Sequence, residues 1–132
     1  MKLSGDASTW KVLVVEDDHD NLNVATQVLA FHGAEVHVAE NGVTGLQVLE
    51  ELTPTVVLMD ISMPQMDGWE MLRHIRDNPK TAALPVIAVT AHAMEGDKER
   101  VLAAGFDGYI RKPFDVLTLL DEIKKSLASP ES

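Results

Sequence analysis

The stretch Thr55–Asp67, TVVLMDISMPQMD, contains a run of β-branched and aliphatic residues that ends abruptly in a carboxylate, Asp60. The run is bounded by Pro54 on one side and by a proline-containing loop on the other. An apolar run of this length between turn signals is typical of a strand buried on both faces of a parallel sheet. We therefore expect Asp60 to lie at the carboxyl end of a central strand, on a rigid backbone.

The rest of the chain alternates between short apolar runs and segments with helical periodicity. Strands are predicted at 11–15, 34–39, 55–60, 85–90 and 106–111, and helices at about 19–32, 43–52, 69–76, 94–104 and 117–127. Parallel strands joined by helical crossovers require a sheet that is covered on both faces. The sequence thus predicts one α/β domain. Its second strand, which alternates in polarity, fits an edge position, whereas the first, third and fourth strands fit central positions.

Composition narrows the classes of function. The 132 residues carry a formal net charge of −10 and include no cysteine. The absence of cysteine excludes disulfides and thiolate metal sites, and the acidic charge argues against direct binding to nucleic acid. The N-terminal residues lack the apolar core of a signal peptide, and no apolar run is long enough to span a membrane, so we expect a cytoplasmic protein.

Polar side chains follow four of the five predicted strands. They are Glu16 and Asp17 after the first strand, Asp60 at the end of the third, Thr90 at the end of the fourth and Lys112 after the fifth. In an open parallel sheet these strand ends share one edge, where ligands bind. Three close carboxylates repel one another unless a hard cation such as Mg²⁺ lies between them. A hydroxyl and an ammonium beside a carboxylate suit phosphoryl transfer, with the carboxylate as nucleophile.

Ordinary structural roles account for some of the same residues. Asp18, the third acid after the first strand, is expected to cap the following helix rather than to bind metal. A single acid, threonine or lysine at a strand end would also be a cap or a surface residue, so the coincidence at successive strand ends is what favours a site. The histidines lack the spacing of a metal site.

Four motifs, in their order and spacing, resemble the receiver domain of two-component response regulators. They are VLVVEDD at 12–18, VVLMDISMPQMDG at 56–68, VIAVTA at 86–91 and GYIRKPF at 108–114. The resemblance implies a flavodoxin-like (βα)5 fold with five parallel strands in the order 2-1-3-4-5. It also implies a receiver domain at 10–128, with tails at 1–9 and 129–132.

The same resemblance implies a Mg²⁺-dependent phosphoprotein whose phosphoacceptor is Asp60, which would form an aspartyl-phosphate. The donor would be a histidine kinase or a histidine phosphotransfer protein. The expected metal ligands are Asp17 and Asp60 directly, Glu16 through water, and the main-chain carbonyl of Ser62, with Mn²⁺ as an alternative ion.

Further roles follow from the resemblance. Lys112 would contact the phosphoryl group, and its peptide bond to Pro113 is expected to be cis. Thr90 and Tyr109 match the switch pair, in which the hydroxyl moves toward the phosphoryl group and the aromatic ring turns inward.

Ser62 and His92 occupy the two positions that tune phosphoryl lifetime. The expected surface for an unknown downstream protein is the fourth helix, fifth strand and fifth helix, on a monomer or a phosphorylation-dependent dimer.

Two other functions compete with that of a signalling receiver. A haloacid-dehalogenase-like phosphohydrolase would need an aspartate two residues after the nucleophile, where this chain has Ser62. A phosphorylation-independent pseudo-receiver usually lacks one of the acids or the lysine, which are all present here. We therefore expect no enzyme activity beyond self-phosphorylation from a phosphohistidine donor and autodephosphorylation. The short tail after Leu127 favours a stand-alone receiver without an output domain over one taken from a hybrid kinase.

The first predicted helix carries more apolar surface than one buried stripe needs. Leu22 and Phe31 flank the face that is formed by Val24 and Val28. One hypothesis is that Leu22 helps to form the docking ridge for the phosphodonor. The alternative, that Leu22 completes the core, fits the pattern equally well.

Overall fold

The computed structural model describes residues 9–61, 67–90, 97–111 and 118–127, without the side chains of Asp97 and Leu127. Within these residues the elements are β1 (Lys11–Val15), α1 (His19–Phe31), β2 (Glu35–Ala39), α2 (Gly42–Glu51), β3 (Val56–Asp60), α3 (Gly68–Asp77), β4 (Val86–Thr90), α4 (Asp97–Ala104), β5 (Gly108–Arg111) and α5 (Leu119–Leu127). The strands form one parallel sheet in the order β2-β1-β3-β4-β5, which confirms the predicted fold. None of the described helices is long and apolar enough to cross a membrane.

Side chains alternate along each strand, and this alternation divides the interior into two cores, one on each face of the sheet. Val12 and Val14 of β1 belong to the first core, whereas Leu13 and Val15 belong to the second. The helices that cover the first core are α1 and α5, which contribute Leu22, Ala25, Leu29, Leu119 and Ile123. The second core is covered by α2, α3 and α4, whose buried side chains include Met71, Leu72, Ile75 and Val101.

The predicted edge and central strands are confirmed. All five residues of β3 and of β4 are buried, whereas Ala39 is the only buried residue of β2. The register aligns Val15 of β1 with both Ala39 and Met59, and Met59 with Ala88. The strands therefore end at nearly the same level, so that the residues following them share one edge of the sheet.

In α1 the structure decides between the two interpretations of Leu22. This side chain is only 8% exposed and belongs to the first core, together with Ala25 and Leu29. The hypothesis that it forms a docking ridge is therefore wrong, and it completes the core. Phe31, at the end of the helix, is 86% exposed.

The predicted tails fall almost entirely outside the described residues. Of 1–9 and 129–132, only Thr9 is described, and it is exposed. The next residue, Trp10, is buried in the first core, and its carbonyl accepts a hydrogen bond of 2.9 Å from the Glu35 amide. The predicted domain limits, 10–128, stay a prediction.

Arg76, near the end of α3, connects three segments at the edge of the sheet where the strands begin. Its guanidinium donates hydrogen bonds to the carbonyls of Ala82 (3.1 Å), Leu84 (2.6 Å) and Gly105 (2.8 Å) and to Oδ2 of Asp107 (3.0 Å). Oδ2 of Asp107 also accepts a hydrogen bond from the amide of Val86, the first residue of β4 (2.8 Å). One side chain thus holds the starts of β4 and β5 against the end of α3.

We expect Arg76→Ala to lower the free energy of unfolding by about 2 kcal/mol, because two part-buried carbonyls, those of Leu84 and Gly105, lose a charged donor at once. Arg73→Ala is the matched control, since Arg73 lies on the same helix and is exposed. Its effect should stay within about 0.5 kcal/mol. Chemical denaturation of both variants measures the difference, and equal losses of stability would contradict this role of Arg76.

Candidate functional site

Three carboxylates meet at the carboxyl edge of the sheet. Glu16, Asp17 and Asp60 each place a carboxylate oxygen within 4.8 Å of the other two. Glu16 and Asp60 are buried, at 1% and 3% exposure, whereas Asp17 is exposed. The cluster therefore opens to solvent on the side of Asp17 and is closed on the side of the other two.

Asp60 is held by the central position of its strand. It is the last residue of β3, which pairs with β1 on one side and with β4 on the other. The register aligns Asp60 with Val89, and the Ile61 amide donates to the Val89 carbonyl at 3.2 Å. The sheet therefore holds the backbone that carries the carboxylate, with one strand bond at the peptide that follows Asp60.

Glu16 is fixed by its main chain and also fixes the loop that follows. Its amide donates to the Ala39 carbonyl of β2 at 2.9 Å, which extends the sheet by one residue. Its Oε2 accepts a hydrogen bond of 3.1 Å from the Asp18 amide. The buried carboxylate of Glu16 is thus bonded to the amide of Asp18, and this bond restrains the turn that carries Asp17.

Asp18 caps α1, as predicted. Its Oδ1 accepts hydrogen bonds from the amides of Asp20 (2.9 Å) and Asn21 (3.2 Å) at the start of the helix. These bonds satisfy amides that have no partner within the helix. Of the three successive acids, Glu16 and Asp18 hold the loop in place, and Asp17 lies between them with its carboxylate exposed.

The charges of this cluster fit a divalent cation. Like charges at this separation repel strongly where burial lowers the effective dielectric constant. Carboxylate oxygens are the ligands that Mg²⁺ prefers, and Mg²⁺ uses one or two of them while keeping several waters. Three acids on a restrained backbone can supply one or two direct ligands and leave the other to contact bound water.

Thr90 and Tyr109 lie on the next two strands. Thr90 ends β4 one residue beyond Val89, the partner of Asp60, and is 2% exposed. Tyr109, on β5, aligns with Ala88 of β4. Its half-buried side chain packs against the second core. The sheet thus brings the hydroxyl of Thr90 to the same edge as Asp60, with Tyr109 one strand further along.

Four residues named in the sequence analysis lie outside the described residues. They are Ser62, His92, Lys112 and Pro113. Their roles as metal ligand, lifetime residues, phosphoryl contact and cis peptide stay predictions. Arg111, the residue before Lys112, is described and exposed at the end of β5.

The start of α3 is also part of this edge, although the sequence predicted only a loop and then a helix here. Asp67 caps α3 by accepting a hydrogen bond of 2.9 Å from the Glu70 amide. The Gly68 amide approaches the Ile61 carbonyl at 3.4 Å. The Asp-Gly pair after the loop was the available signal, because it marks a capped helix start.

Comparison with known proteins identifies the family to which a chain with this geometry is similar. The chain matches the family model of the response regulator receiver domain over residues 12–124. It is 36% identical over 116 residues to the polar-differentiation response regulator DivK of Brucella anthropi, a match that covers 88% of this chain and 94% of that protein.

Solved structures of two receivers share the fold. The receiver domain of the sensor histidine kinase PA1611 from Pseudomonas aeruginosa PAO1 has a TM-score of 0.81 and 32% identity, covering 91% of this chain and 98% of that one. That structure has a magnesium ion coordinated in its active site cleft. The chemotaxis response regulator CheY4 of Vibrio cholerae has a TM-score of 0.83 and 28% identity, covering 89% and 98%. With its fold, its acidic cluster and a family match over most of its length, the chain belongs to the response regulator receiver domain family of two-component signalling.

Proposed function

We propose that this receiver accepts a phosphoryl group on the carboxylate of Asp60 in a Mg²⁺-dependent reaction. The donor is the phosphohistidine of a histidine kinase or a histidine phosphotransfer protein, in keeping with the way receiver domains of two-component systems obtain phosphate from histidine kinases. The observation that carries the proposal is the convergence of Asp60 with Glu16 and Asp17 at the end of the central strand. The product is an aspartyl-phosphate that changes protein–protein contacts.

In the transfer, an Asp60 oxygen forms the new bond to phosphorus while the bond from phosphorus to the donor's imidazole nitrogen breaks. The electron pair of that bond returns to the imidazole. Positioning and charge neutralisation dominate catalysis in such transfers. Asp17 and Asp60 would hold Mg²⁺ directly, Glu16 through water, and Ser62 through its main-chain carbonyl; bound Mg²⁺ supplies positive charge to the phosphoryl oxygens. For Mn²⁺, the alternative ion, no observation adds support.

The remaining assignments belong to the same proposal. Lys112, preceding a cis peptide bond to Pro113, contacts the transferred group. Thr90 moves toward that group, and Tyr109 then turns inward. The burial of Thr90 at the strand end and the half-buried position of Tyr109 on the adjacent strand support this pairing. Ser62 and His92 set the lifetime of the aspartyl-phosphate.

The proposed output surface comprises α4, β5 and α5. Tyr109 lies on β5, which α4 and α5 flank on opposite faces of the sheet. Movement of this ring would therefore change the shape of the surface that a downstream protein contacts. Self-phosphorylation and autodephosphorylation are the only reactions we assign, and the phosphorylated form is a monomer or a dimer.

A small phosphodonor such as acetyl phosphate tests the proposal directly. With Mg²⁺, the wild-type chain should gain one acid-labile phosphoryl group, detected by intact-protein mass spectrometry, and Asp60→Asn should gain none. Asp67→Asn is the matched control, because Asp67 is an exposed acid whose capping role asparagine preserves. It should be phosphorylated like the wild type.

Other outcomes of this assay would contradict the proposal. Sustained turnover of an external phosphomonoester would favour a phosphohydrolase. No adduct on the wild-type chain, with Mg²⁺ and donor in excess, would favour an interaction module that works without phosphorylation.

A second experiment compares two neighbouring acids. Asp17→Asn should weaken Mg²⁺ binding by roughly tenfold or more, because it removes a charged ligand. Asp18→Asn removes the same charge one residue away but keeps the helix cap, so Mg²⁺ binding should change by less than about twofold in moderate salt. Isothermal titration calorimetry measures both dissociation constants. Equal weakening would mean that overall charge, rather than ligation by Asp17, determines binding.

A further inference from the structure

Gly68, the first residue of α3, lies directly against the backbone of the proposed phosphoacceptor. A β-carbon built on Gly68 would lie 2.6 Å from Cα of Ile61 and 2.7 Å from the main-chain carbonyl oxygen of Asp60. Both distances are below any that a real β-carbon makes, and both neighbouring atoms are main chain. Glycine is therefore required here by a close approach between the helix and the Asp60–Ile61 peptide.

Other close glycines of the chain meet side chains instead. At Gly45, an added β-carbon would first meet the terminal methyl group of Met71, 2.6 Å away, which can rotate aside. At Gly108, the atoms met are mainly the side chain of Ser126 on α5. Among these three, only Gly68 touches the backbone next to the acidic cluster.

We propose that Gly68 is a positioning residue for phosphoryl transfer: its missing side chain lets α3 rest on the Asp60–Ile61 peptide, and this contact sets where the Asp60 carboxylate lies relative to Glu16 and Asp17. The inference rests on the proposed function, since it assigns a role in the same site. It concerns metal binding first, because the three carboxylates have to converge before a cation can bind them.

The helix side of this contact is firmly restrained. Three side chains of α3, those of Met71, Leu72 and Ile75, are buried in the second core, and Asp67 caps the helix start. The peptide after Asp60 has a strand bond on one side, from the Ile61 amide to the Val89 carbonyl. A methyl group at position 68 would therefore press on the peptide, because the helix that carries it is not free to move away.

The displacement is large enough to change the position of the Asp60 carboxylate relative to the other two acids. Ordinary contact begins at 3.4 Å, so the peptide would have to move by several tenths of an ångström from its present 2.6–2.7 Å. Functional constellations tolerate about 0.5 Å of misplacement. Because Asp60 carries the carboxylate on the displaced backbone, its distance to the other two acids changes with it.

The test compares Gly68→Ala with Gly108→Ala and the wild type. Gly108 begins β5, at the edge of the sheet opposite to the acids, and alanine there would overlap Ser126. Thermal melting without Mg²⁺ gives the stability of each variant, and calorimetric titration with Mg²⁺, well below both melting temperatures, gives the affinity. We expect Gly68→Ala to weaken Mg²⁺ binding roughly tenfold and Gly108→Ala to change it less than about twofold, whatever its stability.

Phosphorylation by acetyl phosphate at saturating Mg²⁺ supplies a second readout. Gly68→Ala should stay slower than the wild type even when the metal site is full, since Asp60 is displaced as nucleophile as well as ligand. Gly108→Ala should react like the wild type.

Two results would overturn the inference while leaving the proposed function intact. One is a wild-type chain that binds Mg²⁺ and is phosphorylated, with Gly68→Ala matching Gly108→Ala in both measurements. The other is a Gly68→Ala chain that does not fold even in trimethylamine N-oxide, which favours compact states, because the contact would then determine the fold rather than the site. A wild-type chain that neither binds Mg²⁺ nor gains a phosphoryl group would instead overturn the proposed function.

Discussion

The repulsion between three carboxylates is the constraint that the rest of this structure has to overcome. Glu16, Asp17 and Asp60 have oxygens within 4.8 Å of one another, and two of the three are buried. Such a cluster opposes folding unless the surrounding structure holds it. The parallel sheet provides that support, because β1 and β3 are neighbours in register and both are buried at the centre of the molecule. A divalent cation at this cluster would relieve the repulsion.

The edge of the sheet where the strands begin and the edge where they end have different roles. At the edge where the strands begin, Arg76 satisfies carbonyls from two connecting segments and pairs with Asp107, which fixes the starts of β4 and β5. At the opposite edge, Glu16 accepts a hydrogen bond from a main-chain amide of the first loop, and Asp18 accepts two from amides at the start of α1. One edge stabilises the fold, and the other holds three acidic side chains close together.

Much of this arrangement is predictable from local sequence. Apolar runs that end in polar residues predict the strands and place Asp60 at a strand end, and the spacing of Asp18 before a helix predicts its cap. The edge position of β2 follows from its alternating pattern. These features depend on residues that are close together in the chain.

Features that depend on long-range packing were not predictable in the same way. The hydrogen bonds of Arg76 to Gly105 and Asp107 join residues about thirty positions apart, and the contact of Gly68 with the Asp60–Ile61 peptide requires the actual approach of a helix. The periodicity of α1 left two roles open for Leu22, docking or core, and it did not indicate that Phe31 would be exposed. Packing against the sheet buries the face of α1 that carries Leu22, Ala25 and Leu29.

The most direct test of the central claim is a crystal structure of the chain with Mg²⁺ and beryllium fluoride, which mimics a phosphoryl group on a carboxylate. We expect one metal ion bound by Asp17 and Asp60, with the beryllium fluoride on an oxygen of Asp60. A metal ion bound elsewhere, or beryllium fluoride on a different carboxylate, would contradict it.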